Sequence, residues 1–538
     1  MTLGPDAARD ALVDEGARRA IERDVLLPFL ARQRWFAGKA RQPTSARIGD
    51  WGVLGGAGAP AFLWLVDVGF ADGTSHRYFM PVAGARGAEA ARIEHEEPTS
   101  VVARLPGARD AVLHRVLSTV VAPLLLEAIE AGRQIPLRHG VVHAHRTSAF
   151  ATVLRGAVPA ELPVRQLSGE QSNTSLCFGD RLILKLIRRV EPGLNPDFEI
   201  GAHLTRNGFC GAPRLAGALE YVAGDERSII GVLHAFVEHE SNAWEQSVAG
   251  VRALLDRAGA QPAPAPVSPG GTGALDAPSP DALPPSVREA LAGDLDIATR
   301  LGRRTAELHL ALADAEGDPA FEPEPLRRAD CATLAEAMQE NAARAIDALS
   351  ASLPRVPAGL AALACQLVDA RPSLVGRFAQ LAVLEPACTR IRVHGDYHLG
   401  QVLCARGDVI ILDFEGEPLR PIEDRRRKHP AMKDVAGMLR SFSYASYAAL
   451  FSHGSGRPGA VARLEPWARM WQADAAATFL RAYLDTAGGA SFVPRHPAAL
   501  DVLLRAYLLD KACYELVYEL NNRPDWLGIP ISGLLDLK

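Results

Sequence analysis

The chain has 538 residues, of which 48% are hydrophobic and 22% charged, and its formal net charge is −5. That length exceeds what one hydrophobic core normally holds, so two or three domains are expected, while the near-balanced charge excludes a polycationic nucleic-acid binder and a disordered acidic chain. No basic leader with an apolar core opens the sequence and no apolar run reaches the roughly 18 residues of a bilayer span, so the expectation is a cytoplasmic protein without membrane or nucleic-acid partners.

Residues 15–32 carry the spacing of an amphipathic helix, QRWFAGKAR follows at 33–41, and alternating stretches at 61–70 and 76–82 predict strands. An α+β module over 1–105 is expected. A second helical pattern runs from about 108 to 135. After it, ATVLRG (151–156), PVRQLSGEQSNTSLCFGD (163–180) and RLILKLIRR (181–189) read as a strand, a strand with a turn, and a strand. Residues 195–208 predict a helix with Asn195 as its cap and Gly208 at its end. The run 228–240 predicts a strand leading to a hinge at Val237, which closes a second domain over 106–240. Beyond it, 241–538 is mainly helical, from 294–313 to 502–523, broken by a strand-like patch at 391–414. The Pro/Gly/Ala/Ser-rich segment 258–286 lacks periodicity and is expected to be a mobile insertion. Seven cysteines lie singly, without the spacing of a metal site.

The patch at 391–414 carries the chemistry. Two apolar strands are expected to deliver Asp396, in H-G-D-Y-H-L-G-Q, and Asp413, in I-I-L-D-F-E, to one end of a cleft. This is the order of a kinase catalytic loop, in which one Asp accepts the proton of the acceptor hydroxyl and a carboxamide and second Asp hold magnesium. Gln401 stands five residues after Asp396, the template's spacing, although Gln replaces Asn. Glu415 stands where protein kinases have Gly and adds a carboxylate near the acceptor, which suits a hydroxyl-rich small molecule better than a peptide.

The nucleotide half follows the same template. Ser172, Asn173 and Thr174 sit in a polar turn whose N–H groups and hydroxyls are suited to phosphate, though such turns are also plain connections. Lys185, inside L-I-L-K-L-I, needs an anion, either a phosphate or Glu199 on the next helix, with Glu170 and Glu191 as competitors. Only six of the 58 Lys and Arg residues are lysine, and Lys39, Lys185, Lys428, Lys433 and Lys511 all fall in segments singled out on other grounds.

QRWFAGK, AFVEHESNAWE, KDVAGMLRSF and YELNNRPDW, together with the catalytic segment, resemble maltokinases, including those fused to trehalose synthase. The resemblance implies a bilobal protein-kinase-like fold with an N-terminal cap, ATP and Mg²⁺ as cofactors, maltose as acceptor, and maltose 1-phosphate as a product that feeds α-glucan synthesis. It also allows association with trehalose synthase. Mapped onto this sequence, it makes Asp396 the base, Gln401 and Asp413 the metal ligands, and Lys185 the phosphate contact. The acceptor candidates are His398, Glu415, Arg420, Lys428, Lys511, Tyr514 and Glu519; the tyrosine spacing fits packing as well as binding, and the basic residues fit an exposed loop as well. A glucosamine kinase, an antibiotic kinase and a silent kinase-like scaffold stay open as alternatives.

Overall fold

The structure, a computed structural model, describes residues 15–537 except 34, 37–40, 56–60, 105–110, 168–172, 259–263, 265–284, 419 and 455–458. It divides into two compact units, Met1–Arg206 with Pro213–Glu238, and Asn207–Ala212 with His239–Lys538.

In the first unit the expected N-terminal helix is two helices, α1 (Glu15–Asp24) and α2 (Leu26–Arg32). Pro28 explains the break: without an N–H it belongs in a first turn, so a new helix begins just before it. Strands β1 (Pro43–Leu54), β2 (Ala61–Phe70) and β3 (Ser75–Arg86) follow, then helix α3 (Gly87–Glu96) and strands β4 (Val101–Arg104) and β5 (Ala111–His114). These strands form a sheet in the order β1-β2-β3-β5-β4. The helical pattern from 108 is therefore a strand first. Its helix, α4 (Val121–Ala131), begins only where Pro123 fits the first turn, and Gly132 in the left-handed region ends it.

A second sheet is built from β6 (Gln134–Pro136), β7 (Val141–Arg146), β8 (Val164–Gln166), β9 (Thr174–Phe178), β10 (Leu182–Leu186), β12 (Leu215–Ala223) and β13 (Glu226–Ala235), in the order β6-β7-β12-β13-β10-β9-β8. The short strand β11 (Arg189–Val190) leaves it to pair with β3. Residues 151–156, expected to be a strand, belong to helix α5 (Phe150–Leu154). Thr147 Oγ1 accepts the Ala149 N–H ahead of it, and Arg155 and Gly156 stop it at φ 52° and 82°, a left-handed exit no strand has. Helix α6 (Pro196–Arg206) begins at Asn195, whose side chain accepts the Asp197 N–H at 2.8 Å, and Gly208 lies just past its end at φ 70°. Trp35 of the QRWFAGK motif lies against two guanidinium groups, Arg115 at 5.1 Å and Arg188 at 5.0 Å from its ring centre.

The second unit opens with β14 (Ser241–Asn242), α7 (Ala243–Ala258), α8 (Pro285–Ala313), β15 (Glu324–Pro325) and α9 (Arg328–Ser352). It continues through β16 (Thr389–Arg390), β17 (Val402–Ala405) and β18 (Asp408–Ile411) to α10 (Met432–Gly454), α11 (Ala460–Ala487) and α12 (Pro497–Asn522). The hairpin β17–β18 and β14 form a small antiparallel sheet. Helix α10 is buried along most of its length and packs against α7, α11 and α12. The strand expected ahead of Asp396 is reduced to β16 and a single bridge between Ile391 and His429; past it the N–H groups of His394 and Gly395 bond the Asp434 carboxylate instead of a neighbouring strand. The insertion 258–286 lies almost entirely outside the described residues. Among the described residues no helix is long and apolar enough to cross a membrane.

Candidate active site

The loop that carries Asp396 is held by its backbone. Asp434, in the first turn of α10, is 1% exposed and accepts the N–H groups of His394 at 2.7 Å and Gly395 at 2.9 Å. His309 Nε2 lies 3.1 Å from the same carboxylate, and His309 Nδ1 lies 2.8 Å from the Tyr483 hydroxyl. Burial opposes the charge on Asp434, but the bond and charge of His309 and the Gly395 N–H hold its pKa below the ordinary value. His394 Nε2 lies 2.8 Å from the Leu412 carbonyl, which makes Nε2 the protonated nitrogen and leaves Nδ1 to accept the Asp396 N–H at 3.4 Å. One imidazole thus ties the Asp396 loop to the residue before Asp413. Sequence reading missed Asp434; its signal was a lone carboxylate at the start of an otherwise apolar helix.

Asp396 faces a cavity of about 430 Å³. Lys511 Nζ from α12 lies 3.3 Å from Asp396 Oδ1 and 3.9 Å from Glu417, and sits 4.8 Å from the Tyr514 ring centre. Burial disfavours the ammonium, yet Asp396 and Glu417 outweigh it and push the Lys511 pKa up to about 12. Burial likewise works against the Asp396 carboxylate, and Lys511, His398 and His394 reverse it, leaving its pKa below the ordinary value. Asp396 is therefore ionised and able to accept a proton. Burial lowers the pKa of His398, which shares this cavity with Asp396.

The two metal-ligand candidates come together. Gln401 Nε2 lies 3.0 Å from Asp413 Oδ2, and a half-turn of the amide presents its oxygen instead. Asp413 has φ 64°, a strained conformation for a residue other than Gly, held just beyond the end of β18. A Glu415 carboxylate oxygen lies within 4.8 Å of one on Asp413. Two carboxylates and an amide oxygen fit Mg²⁺, which takes hard oxygen ligands. Glu415, expected among the acceptor contacts, lies beside Asp413, and the carboxylate beside Lys511 is Glu417, two residues on.

In the first unit, the alternation of β10 buries Leu182, Leu184 and Leu186 on one face and turns Lys185 to the other. There Lys185 Nζ lies 3.4 Å from Asp197 Oδ2 of α6, with the Asp197 side chain 3% exposed. Asp197, which sequence reading did not name, lies half a turn before Glu199, the partner it expected, and Glu199 is also buried on α6. Asn173 and Thr174 are buried at the start of β9, and Thr174 Oγ1 accepts from Arg188 at 2.8 Å. Val237 is half-buried in the extended segment after β13. Ser172 lies outside the described residues.

The acceptor candidates separate. Tyr514 and Glu519 line the Asp396 cavity with Lys511 and His398. Arg420 instead pairs with Glu417 and lines a neighbouring cavity. Lys428 is excluded from both linings: its ammonium binds the Glu324 carboxylate at 2.8 Å and the Pro319 carbonyl at 2.9 Å, a structural pairing on an 8% exposed side chain. Trp244, Tyr444, Glu515, Tyr518 and Arg523 complete the Asp396 cavity. Glu515 is held by Arg440 at 2.6 Å, and Glu519 by Arg523 at 2.6 Å and the Tyr444 hydroxyl at 3.1 Å. Gly437 lines both cavities; a Cβ there would meet the Tyr397 carbonyl oxygen at 2.6 Å.

A family model, the maltokinase N-terminal cap domain, matches residues 29–112, which hold the QRWFAGK motif and the first sheet. A solved glucosamine kinase in complex with glucosamine, ADP and inorganic phosphate superposes with a TM-score of 0.58 at 23% identity, over 95% of this chain and 98% of that one. This chain carries a maltokinase cap on a kinase-like fold. A second crystal form of a glucosamine kinase gives a TM-score of 0.60 at 23% identity, again over 95% and 98% of the two chains. In sequence, the chain is 28% identical to a glucosamine kinase of Streptacidiphilus jiangxiensis over 68% of its length and 72% of the relative's. It is 27% identical to one of Mycolicibacterium smegmatis (strain ATCC 700084 / mc(2)155), over 71% and 82%.

Proposed function

We propose that the chain is an ATP- and Mg²⁺-dependent sugar kinase that phosphorylates maltose at its anomeric hydroxyl. The supporting observation is Asp396, 3.3 Å from the Lys511 ammonium, on the wall of a cavity lined by aromatic rings and paired charges. In this reading 1–105 is the cap, 106–240 the nucleotide lobe with Lys185, Asn173, Thr174 and Val237 on the nucleotide side, and 241–538 the catalytic lobe. Asp396 takes the proton of the acceptor hydroxyl as its oxygen bonds to the γ-phosphorus and the bond from that phosphorus to the departing ADP oxygen breaks. Gln401, Asp413 and Glu415 hold Mg²⁺, which when bound offsets phosphate charge.

A glucosamine reading draws support from the two sequence relatives, both glucosamine kinases. Charge pairing in the cavity favours a neutral sugar: Glu515 and Glu519 each carry a guanidinium and Asp396 carries Lys511, so a sugar ammonium would meet carboxylates already matched. The deciding experiment is ADP release from Mg·ATP against maltose, glucosamine, glucose, trehalose and an aminoglycoside, with the phosphate position read by NMR. Maltose-dependent turnover to a 1-phosphate is expected; turnover of glucosamine alone moves the substrate assignment, and none at all supports a silent scaffold.

A further inference from the structure

Behind the Asp396 loop lies a second cavity, about 420 Å³ in volume, that no step above uses. It adjoins the first along Gly437, Lys511 and Tyr514, which line both. Successive residues of the loop divide between them: Asp396 lines the first, Gly395 and Tyr397 the second. The second cavity's far side is α9, with Ala337 exposed at its edge.

Its lining is polar in a particular way. Lys433 lines it half-buried, and among the described residues its ammonium makes no hydrogen bond or ion pair. Burial lowers the pKa of Lys433, with Glu417 opposing. Asp510 supplies an acceptor, already oriented by Asn341 Nδ2 at 3.1 Å, and the Tyr507 hydroxyl is buried at the wall without a partner among the described residues. Donors and acceptors interleaved with the apolar Leu334, Ala337 and Met338 of α9 suit a neutral polyhydroxyl ring: of the lining cations, Arg420 and Lys511 are already matched to carboxylates, which leaves Asp510 and Lys433 as a mixed acceptor and donor, and a hydrocarbon would leave the Lys433 ammonium desolvated.

We infer that the second cavity receives the distal ring of a disaccharide acceptor, with Lys433 hydrogen-bonding its hydroxyls, while the ring to be phosphorylated sits against Asp396. The inference rests on the maltose reading above and adds the residues that would distinguish a disaccharide from a monosaccharide. Two substitutions test it: Lys433→Met removes the free donor, and Ala337→Trp, at an exposed helix position where folding is spared, fills the cavity from its edge. Steady-state kinetics with maltose, and KM or inhibition constants for glucose and glucosamine, are the readout, with thermal melts to check the fold. The expected result is a KM for maltose raised roughly ten- to a hundredfold, the range of a hydrogen bond to a charged donor, with kcat and the monosaccharide constants held within about twofold. If wild type turns over maltose and both variants keep its KM, or the monosaccharide constants rise equally, the distal-ring site is overturned and the function stands. If wild type does not turn over maltose, the function itself is overturned.

Discussion

The loop around Asp396 and the helix α12 meet at Lys511, yet they are built by opposite means. The loop is fixed through its backbone: Asp434 accepts two of its N–H groups, His394 bonds a carbonyl, and Asp413 is held at a positive φ. On α12 the helix geometry is ordinary and everything chemical is side chain: Lys511, Tyr514, Glu515, Tyr518 and Glu519 project from successive turns. On the proposed function, the step common to all acceptors falls to the loop whose backbone is tied down, and discrimination among acceptors falls to the side chains of α12.

Four substitutions break or sharpen that contrast. Asp396→Asn should lower kcat by about a hundred- to ten-thousandfold, the range of a lost general base, with ATP affinity and melting temperature unchanged. Turnover near wild type would falsify its role as base. Asp434→Ala should act on the rigid part, leaving His309 and two loop N–H groups unmatched in a buried site; a loss of about 3–5 kcal/mol in denaturant unfolding is expected, with most activity gone. A variant as stable as wild type would mean the backbone brace is dispensable. Lys511→Met tests the junction. The Asp396 carboxyl is held below its ordinary pKa in part by this cation, so removing it leaves burial less opposed and the pKa rises. The acid limb of the kcat/KM profile should then move to higher pH, and a limb that stays in place rejects the coupling. Glu519→Gln should have the smallest effect, a rise of roughly five- to tenfold in acceptor KM with kcat and the ATP KM unaltered; a change confined to kcat would place Glu519 in the chemistry instead.

The same contrast explains what was legible in the sequence. The meeting of Gln401 with Asp413 was readable because the two flank one short hairpin, and Asn195 because a helix cap is a local decision. The lysine count pointed to Lys185 and Lys511, which the structure sets against carboxylates, and also to Lys428, which proves to bind Glu324 in a structural pair. Trp244 and Arg523 fall inside the motifs AFVEHESNAWE and YELNNRPDW but, like Tyr444, were not named for the site, since they reach the cavity from separate segments and only the fold assembles them. The misread strand at 151–156 shows the limit of local pattern: β-branched residues in a five-residue run did not reveal that a short helix begins after the turn at Thr147 and ends at Arg155.

Gly437 carries a consequence for how such an enzyme changes its acceptor. At this position a buried helix packs against the Asp396 loop, near enough that a methyl group would collide with the Tyr397 carbonyl. A residue that borders both cavities is the obvious place for a lineage to narrow or divide them, and here that route is closed, because any larger side chain would shift the catalytic loop. Drift in substrate range should accordingly be written on α9 and α12, while position 437 stays silent.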